Sequence, residues 1–499
     1  MTKTNQLTTV EDVMNASGVG FGTSGARGLV SAMSDRVCHA YVYGFIEYLR
    51  ELGEWNAGMK LALAGDLRAS TPRILQACAQ AVLDQGGQPV FCGMVPTPVL
   101  AMWAFQQGVP SLMVTGSHIP DDRNGIKFYR RHGEILKSDE LGIKRQKIRS
   151  SEAVWGDDGM LPSPPDLGEP ESIAAPYINR YVDFFGAGAL QERRVAVYQH
   201  SAVGRDILAE ILRQLGADVT LLGRSEVFVP VDTEAVRSED IHLAHQWAAA
   251  GQYDAIASTD GDSDRPLLAD ESGNWLRGDV LGVICAKYLG AATVVTPVSS
   301  NSLVVTCGAF PEVRRTKIGS PFVIAAMNEA IAASDAAERL VCGYEANGGF
   351  LVGTAVRNGN RTLAALPTRD AVLPIICALA MSRESGLRAL LDDLPPSVTY
   401  SDRIQQFPQE SSSALMSWML AGEEHERNAR LSDAFAGIAG APLRGIELTD
   451  GVRMEFSNAR VIHLRPSGNA PELRCYTEAE NEACAARLNR MTLDWIKAR

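Results

Sequence analysis

The chain reads as an α/β protein of several domains: three similar α/β units with mixed sheets, followed by a smaller α+β unit. Three observations predict this. Short apolar runs alternate with amphipathic helical stretches along most of the 499 residues, which is the pattern of βαβ units. Two proline-rich stretches, residues 161–170 and 391–400, read as linkers and divide the chain into blocks of about 160, 220 and 100 residues. Hydrophobic residues make up 46% of the sequence, enough to build several cores.

Taken in order, residues 60–66 (KLALAGD), 88–94 (QPVFCGM) and 111–117 (SLMVTGS) read as strands, each closing on a polar or glycine turn. Residues 71–87 form an amphipathic helix with a glycine stop between the first two, so this sheet is predicted to be mainly parallel. The middle block repeats the theme. Strands at 194–200 and 218–223 flank a helix at 204–217, and a strand at 254–260 runs into a charged loop. Residues 292–298 lead to a helix at 321–333, and 339–345 is again a strand. This block holds two α/β units, with a seam near residues 274–279. The last block places strands at 451–457 and 460–466 before a C-terminal helix.

Bulk properties narrow the function. Lys and Arg number 47 against 59 Asp and Glu, a net charge of −12, which argues against a general nucleic-acid or anionic-membrane binder. An anionic substrate would need locally concentrated positive charge. The N-terminus lacks the apolar core of a signal peptide, and no stretch reaches the ~20 apolar residues that span a bilayer. The nine cysteines are scattered, with no CxxC pair, and read as reduced core residues rather than zinc ligands or disulfides. A cytoplasmic protein is the expectation. There is no GxxxxGK[ST], GxSxG or HExxH.

Five loops carry candidate chemistry. Residues 115–120 (TGSHIP) close a strand where open α/β sheets bind ligands. Ser117, with His118 beside it, fits either a nucleophilic or phosphate-carrying serine or a simple strand-end turn. Lys127 follows in a predicted glycine turn, Asn124-Gly-Ile-Lys127. Residues 260–265 (DGDSDR) place Asp260, Asp262 and Asp264 on one side of an extended chain. Three such carboxylates repel unless a cation sits among them, and hard oxygen ligands suit Mg²⁺. A solvated acidic turn is the plain alternative. A calcium EF-hand is disfavoured, because Arg265 stands at loop position six and the incoming segment is strand-like. Residues 465–469 (RPSGN), with Arg474 after them, combine arginine, a hydroxyl and glycine-exposed N–H groups, either an anion nest or a plain turn. Residues 343–349 (GYEANGG) display a carboxylate and an amide suited to sugar hydroxyls, and residues 21–28 (FGTSGARG) place Arg27 in a flexible loop.

Together these loops resemble the α-D-phosphohexomutase superfamily of phosphomannomutases, phosphoglucomutases and phosphoglucosamine mutases. FGTSGARG is similar to its N-terminal arginine loop, TGSHIPDDRNGIK to its phosphoserine loop, and DGDSDR matches a common form of its metal loop. GYEANGG stands at the sugar loop and RPSGNAPELR at the phosphate loop. GDLRASTP (65–72), VPTP (95–98) and TKIG (316–319) resemble further signatures. The resemblance runs from residue 21 to 474, nearly the whole chain.

The resemblance implies four domains around a central active-site cleft: residues 1–165 with the phosphoserine loop, 171–275 with the metal loop, 276–393 with the sugar loop, and 397–499 with the phosphate loop. It implies a phosphohexomutase interconverting hexose 6-phosphate and hexose 1-phosphate, mannose phosphates first. A phosphoglucomutase, a phosphoglucosamine mutase, or a catalytically weak sugar-phosphate-binding protein are the alternatives. Ser117 would carry the phosphoryl group, and Mg²⁺ would be held by Asp260, Asp262, Asp264 and the phosphoserine. Arg27, His118, Lys127 and Arg265 would stabilise the transferring group or move protons. Lys317 matches an active-site lysine. Glu345 and Asn347 would read sugar hydroxyls, and Arg465, Ser467, Gly468, Asn469 and Arg474 would hold the other phosphate. A hexose 1,6-bisphosphate would be intermediate and activator, and the partners are small hexose phosphates, with no nucleic acid or membrane, for a monomer or homodimer.

Three departures stand out. Asn347 and Gly349 replace a serine and a histidine common in the sugar loop. Asn469-Ala470 replaces Thr-Glu in the phosphate loop. Ile119 stands where an asparagine is common.

Overall fold

The computed structural model describes residues 8–22, 25–148, 155–333, 339–467 and 471–498. The chain forms two compact units, residues 1–291 with 319–388 and residues 292–318 with 389–499.

In the first unit the leading sheet runs Gly20–Phe21, Ala26–Leu29, Arg123–Arg130, Ser111–Val114, Lys60–Gly65, Gln88–Met94. Lys60–Gly65 lies parallel to both Gln88–Met94 and Ser111–Val114. Helix Thr71–Asp84 makes the crossover, with Pro72 in its first turn, where the missing N–H costs nothing. Helix Thr97–Gln107 returns the chain and stops at Gly108, whose φ of 65° ends it in a left-handed cap. Phe45, Leu63, Ile74, Val114 and Phe128 pack beneath this sheet.

Strand Arg123–Arg130 is antiparallel to both Ser111–Val114 and Ala26–Leu29, which makes the sheet mixed. The glycine turn expected at residues 124–127 is therefore corrected to mid-strand. Asn-Gly signals a reversal only where the chain is free to turn. Here a Cβ on Gly125 would lie 2.6 Å from the Ala26 carbonyl oxygen, so the glycine allows close strand approach.

A second sheet runs Asp218–Arg224, Arg194–His200, Ala255–Thr259, Pro266–Ala269, parallel except for the last strand. Val341–Tyr344, Phe350–Val352 and Leu366–Asp370 pair antiparallel. Helices Gly278–Leu289 and Val372–Met381 pack on one another beside them.

In the second unit Thr293–Pro297 and Glu312–Thr316 pair in parallel. A five-stranded antiparallel sheet runs Val398–Ile404, Leu473–Ala479, Val461–Pro466, Val452–Phe456, Leu443–Glu447. Helices Glu424–Ala439 and Glu482–Lys497 contribute Phe435, Leu488 and Ile496 to one core with Met454 and Leu464 of the sheet. This is the expected α+β element. The linker expected at 391–400 is shorter: helix Leu387–Asp392 takes one end and strand Val398–Ile404 the other. The β-branched and aromatic run Val398-Thr-Tyr400 favours that strand over a loop. The nine cysteines form no disulfide; seven are buried, as expected for core residues, whereas Cys307 and Cys484 are half-buried. Among the described residues no helix is long and apolar enough to cross a membrane.

Candidate active site

Strand Ser111–Val114 delivers Ser117 in a left-handed conformation, φ 56°. Its N–H donates to Thr115 Oγ1 at 2.7 Å. Arg68, fully buried, donates to the carbonyls of Ser117, Ile119, Pro120 and Arg123 at 2.9, 2.6, 2.9 and 3.2 Å. Asp66 Oδ2 orients that guanidinium at 3.1 Å, and the Phe228 ring covers it at 3.8 Å. A Cβ on Gly116 would lie 2.6 Å from Arg68 Cζ, so only glycine lets the loop close over this side chain. Arg68 thus shapes the serine loop, a role invisible in the sequence, where it stands 49 positions before Ser117.

Ser117 Oγ donates to Asp260 Oδ2 at 2.6 Å. The loop 260–265 joins the antiparallel strands Ala255–Thr259 and Pro266–Ala269. It is a tight turn, which corrects the extended-chain expectation. Ser263 has φ 59°, and Asp260 Oδ1 accepts the N–H groups of Asp264 and Arg265, each at 3.2 Å. The turn, rather than strand alternation, gathers the carboxylates. The strand–turn–strand setting removes the EF-hand reading. Glu271 instead accepts the N–H groups of Leu387 and Arg388, at 2.6 and 3.1 Å.

Asp260, Asp262 and Asp264 are all fully buried, and one oxygen from each lies within 4.8 Å of the others. Asp262 Oδ1 and Asp264 Oδ1 have no hydrogen-bond partner. Orphaned buried carboxylate oxygens are costly, and a hard divalent cation is the ligand that satisfies them. The donor set, with Ser117 beside it, fits such an ion.

Positive charge surrounds the cluster. Lys127 Nζ, on strand Arg123–Arg130, lies 2.6 Å from both Asp262 Oδ2 and Asp264 Oδ2. Burial would raise Asp262, yet Lys127 holds it below the usual carboxylate range. Asp264 is likewise lowered against burial, by Arg369 first. Asp260 is pushed well up, by burial and then by the other two carboxylates. Arg265 Nη1 donates to His118 Nδ1 at 2.8 Å, so the imidazole proton sits on Nε2. Burial, then the charges of Arg265 and Arg27, push His118 well below its ordinary value and keep it neutral. Arg27 lies not in a flexible loop but on strand Ala26–Leu29, opposite Gly125. Loss of solvent and the neighbouring Arg265 lower its pKa to about 10. Thr23 and Ser24 of its motif lie outside the described residues.

The sugar-loop candidates follow strand Val341–Tyr344. Glu345 is buried, and its Oε2 accepts from Arg369 Nη1 at 2.9 Å. Asn347 Oδ1 accepts the Gly349 N–H at 2.9 Å, turning that side chain back on its own loop. Thr233 Oγ1 donates to the Asn347 carbonyl at 3.0 Å. Gly349, where the resemblance leads to a histidine, has no room for a side chain: its Cβ would lie 2.7 Å from Arg369 Cδ.

Lys317, Arg465, Ser467 and Arg474 belong to the second unit. Gly468 and Asn469 lie outside the described residues. Asp450 organises this group. It pairs with Arg465 Nε at 2.9 Å and accepts the N–H of Ile318, next to Lys317, at 3.1 Å. The Ser467 N–H donates to the Glu472 carbonyl at 2.8 Å. Arg465 stands directly opposite Arg474, and Arg403 opposite Arg474 on the other side, a row of three arginines on one sheet face. Arg403, like Arg369 and Asp450, escapes sequence reasoning, because only strand register reveals it.

The fold and this site define a class. Family models of phosphoglucomutase/phosphomannomutase match in series: α/β/α domain I over residues 18–153, domain II over 175–273, domain III over 277–398, and the C-terminal domain over 424–494. The chain belongs to this family, and is an isomerase of the intramolecular phosphotransferase type. Among its relatives are the phosphomannomutase of Salmonella muenchen, 43% identical over 98% of each chain, and that of Sinorhizobium fredii, 43% identical over 94% of this chain and 96% of the other. The putative phosphomannomutase of Thermus thermophilus shares the fold, with TM-score 0.71 at 18% identity, over 96% of this chain and 99% of that one.

Proposed function

We propose that the chain is a phosphomannomutase, interconverting mannose 6-phosphate and mannose 1-phosphate through a phosphoserine at Ser117 and a bound 1,6-bisphosphate. The observation that carries this is Ser117 Oγ, presented from a left-handed strand-end residue against three buried carboxylates with two unsatisfied oxygens. The 43% identity to phosphomannomutases along the whole chain supports mannose as the sugar.

In the transfer, the Oγ–phosphorus bond of phosphorylated Ser117 breaks and a bond forms to a sugar hydroxyl oxygen; the proton that oxygen loses is balanced by one taken up at the departing Ser117 Oγ, which returns to a hydroxyl. The resulting bisphosphate turns over and returns its other phosphoryl group to Ser117. Asp260, Asp262, Asp264 and the serine oxygen would hold Mg²⁺. When bound, the ion supplies charge neutralisation for the phosphoryl oxygens. Lys127, Arg265 and Arg27 bring positive charge to the same place. His118, neutral and oriented by Arg265, turns its unprotonated Nδ1 toward Ser117 Oγ at 3.4 Å and so keeps an uncharged acceptor beside the nucleophile. Glu345 and Asn347 read sugar hydroxyls. Arg465, Ser467, Gly468, Asn469 and Arg474, with Lys317, hold the phosphate that is not transferring. Arginine suits an intermediate that must bind in two orientations, because it grips phosphate bidentately and ignores the sugar. The four domains of this reading are residues 1–165, 171–275, 276–393 and 397–499.

A coupled assay with the 1-phosphates of mannose, glucose and glucosamine, supplied with glucose 1,6-bisphosphate and Mg²⁺, tests the proposal. The mannose compound should give the highest kcat/KM, and Ser117→Ala should abolish turnover and the phosphate adduct seen by intact mass. Turnover that survives Ser117→Ala, or a higher kcat/KM for another sugar, overturns it.

A further inference from the structure

One side chain outside every expected motif ties the metal loop to the sugar loop. Arg369 is the penultimate residue of the strand Leu366–Asp370 and is 2% exposed. Its Nε and Nη2 each lie 2.9 Å from Asp264 Oδ2, while Nη1 donates to Glu345 Oε2 at 2.9 Å. The same nitrogen reaches Ser320 Oγ at 3.2 Å. Behind it Glu134 accepts from Ser320 Oγ at 3.1 Å and from Thr368 Oγ1 at 2.9 Å, so this flank of the guanidinium is braced by side chains from three segments. Its aliphatic stem lies over Gly349. A Cβ there would come within 2.7, 2.9 and 3.0 Å of Arg369 Cδ, Cγ and Cβ. The stem has no free direction, because its head is held by two carboxylates.

We propose that Arg369 is a positioning residue for sugar recognition: it fixes the Glu345 carboxylate against the metal loop, and Gly349 is the space its stem requires. This rests on the reading of Glu345 as an acceptor of sugar hydroxyls. The planar fork matters. A lysine keeps the charge but offers a single ammonium, which does not reproduce two contacts converging on Asp264 Oδ2 while also holding Glu345 from a third nitrogen. Freed on one side, Glu345 no longer presents a set acceptor, and discrimination between sugars differing at one hydroxyl relaxes. The bare phosphate group, recognised by other residues, should bind as before.

The test uses Arg369→Lys, Gly349→Ala, Arg369→Ala and the double variant Gly349→Ala/Arg369→Ala. Calorimetric titration of metal-free, dephosphorylated protein with mannose 1-phosphate, glucose 1-phosphate and inorganic phosphate is the first readout. Arg369→Lys and Gly349→Ala should each weaken mannose 1-phosphate binding by roughly tenfold or more. The preference between the two sugars should shrink, and inorganic phosphate binding should stay at the wild-type level. In steady state, KM should rise more than kcat falls. Thermal melting is the second readout: Gly349→Ala should lower Tm when Arg369 is present and lower it by clearly less in the Arg369→Ala background, where the contacts at 2.7 and 2.9 Å are gone and only the Cβ contact at 3.0 Å remains. Wild-type affinity and sugar preference in Arg369→Lys and Gly349→Ala overturn the proposal, as does an equal loss for inorganic phosphate. Wild-type protein that binds inorganic phosphate but no hexose phosphate refutes the sugar reading of Glu345 itself, and the proposal falls with it.

Discussion

Lys127 offers the sharpest quantitative test of the metal cluster. Its side chain is 3% exposed and stands 2.6 Å from two carboxylates that are fully buried. Lys127→Met keeps the length and removes the charge. Two carboxylates are then left among orphaned oxygens, and breaking a buried ion pair from one side costs about 3–5 kcal/mol. At about 2–4 °C per kcal/mol, the metal-free melting midpoint should fall by roughly 6–20 °C. Mg²⁺ should restore most of this, because a dication among Asp260, Asp262 and Asp264 replaces the missing charge. Differential scanning calorimetry in EDTA and again in excess Mg²⁺ measures both arms. The signature is a larger Mg²⁺-induced shift in Lys127→Met than in wild type. A variant whose metal-free transition coincides with wild type, or whose Mg²⁺ response is no larger, would show that the lysine does not carry the cluster's charge.

Other consequences follow from single side chains. Arg68→Ala should cut kcat by more than tenfold with little change in KM, because it releases four carbonyls of the serine loop without touching the sugar or phosphate loops; an unchanged kcat refutes the clamp. Arg403→Ala should raise KM for hexose phosphates several-fold and leave kcat near wild type, if the arginine row on the C-terminal sheet acts as one anion surface. Buried His200, whose Nε2 sits 2.8 Å from the Thr259 carbonyl, has its pKa lowered from 6.5 to about 4 by burial. Its folded form stays neutral while the unfolded chain takes up a proton, so stability is full above pH 6.5 and is lost as pH falls toward 4. That loss amounts to about 3 kcal/mol. Denaturation at a series of pH values should show a shallower acid slope in His200→Gln, and an unaltered slope would count against the assignment.

The residues that sequence alone exposes are those whose meaning is local. Ser117 and the three aspartates sit in short runs at strand ends, where residue type and spacing already state a chemistry. Asn124-Gly125 was misleading for a physical reason: turn propensity yields to the sheet when strands on both sides supply hydrogen bonds. The aspartate turn departs from the extended geometry its spacing predicts but keeps its content, since Ser263 at positive φ folds the loop and brings the carboxylates together by another route. Arg369, Asp450 and Arg403 stay hidden, and Arg68, although inside the GDLRASTP stretch, shows no sign there of its hold on the serine loop. Each acts through residues distant in sequence, and an isolated arginine or aspartate in a chain with 106 charged residues carries no signal of its own. Gly349 marks the boundary between these cases: the departure is visible in the sequence, and its cause, the Arg369 stem, is visible only in three dimensions.

The backbone at Ser117 also limits which amino acid can serve as phosphate carrier. With φ at 56°, the position lies in a region that β-branched side chains enter only with strain. Threonine has the same hydroxyl and the same phosphorylation chemistry, yet it would have to distort a loop that Arg68 holds at four carbonyls. The choice of serine over threonine is therefore made by the main chain before any chemistry occurs. Lineages that keep this loop should be unable to exchange the two hydroxyl residues, however similar their phosphoesters.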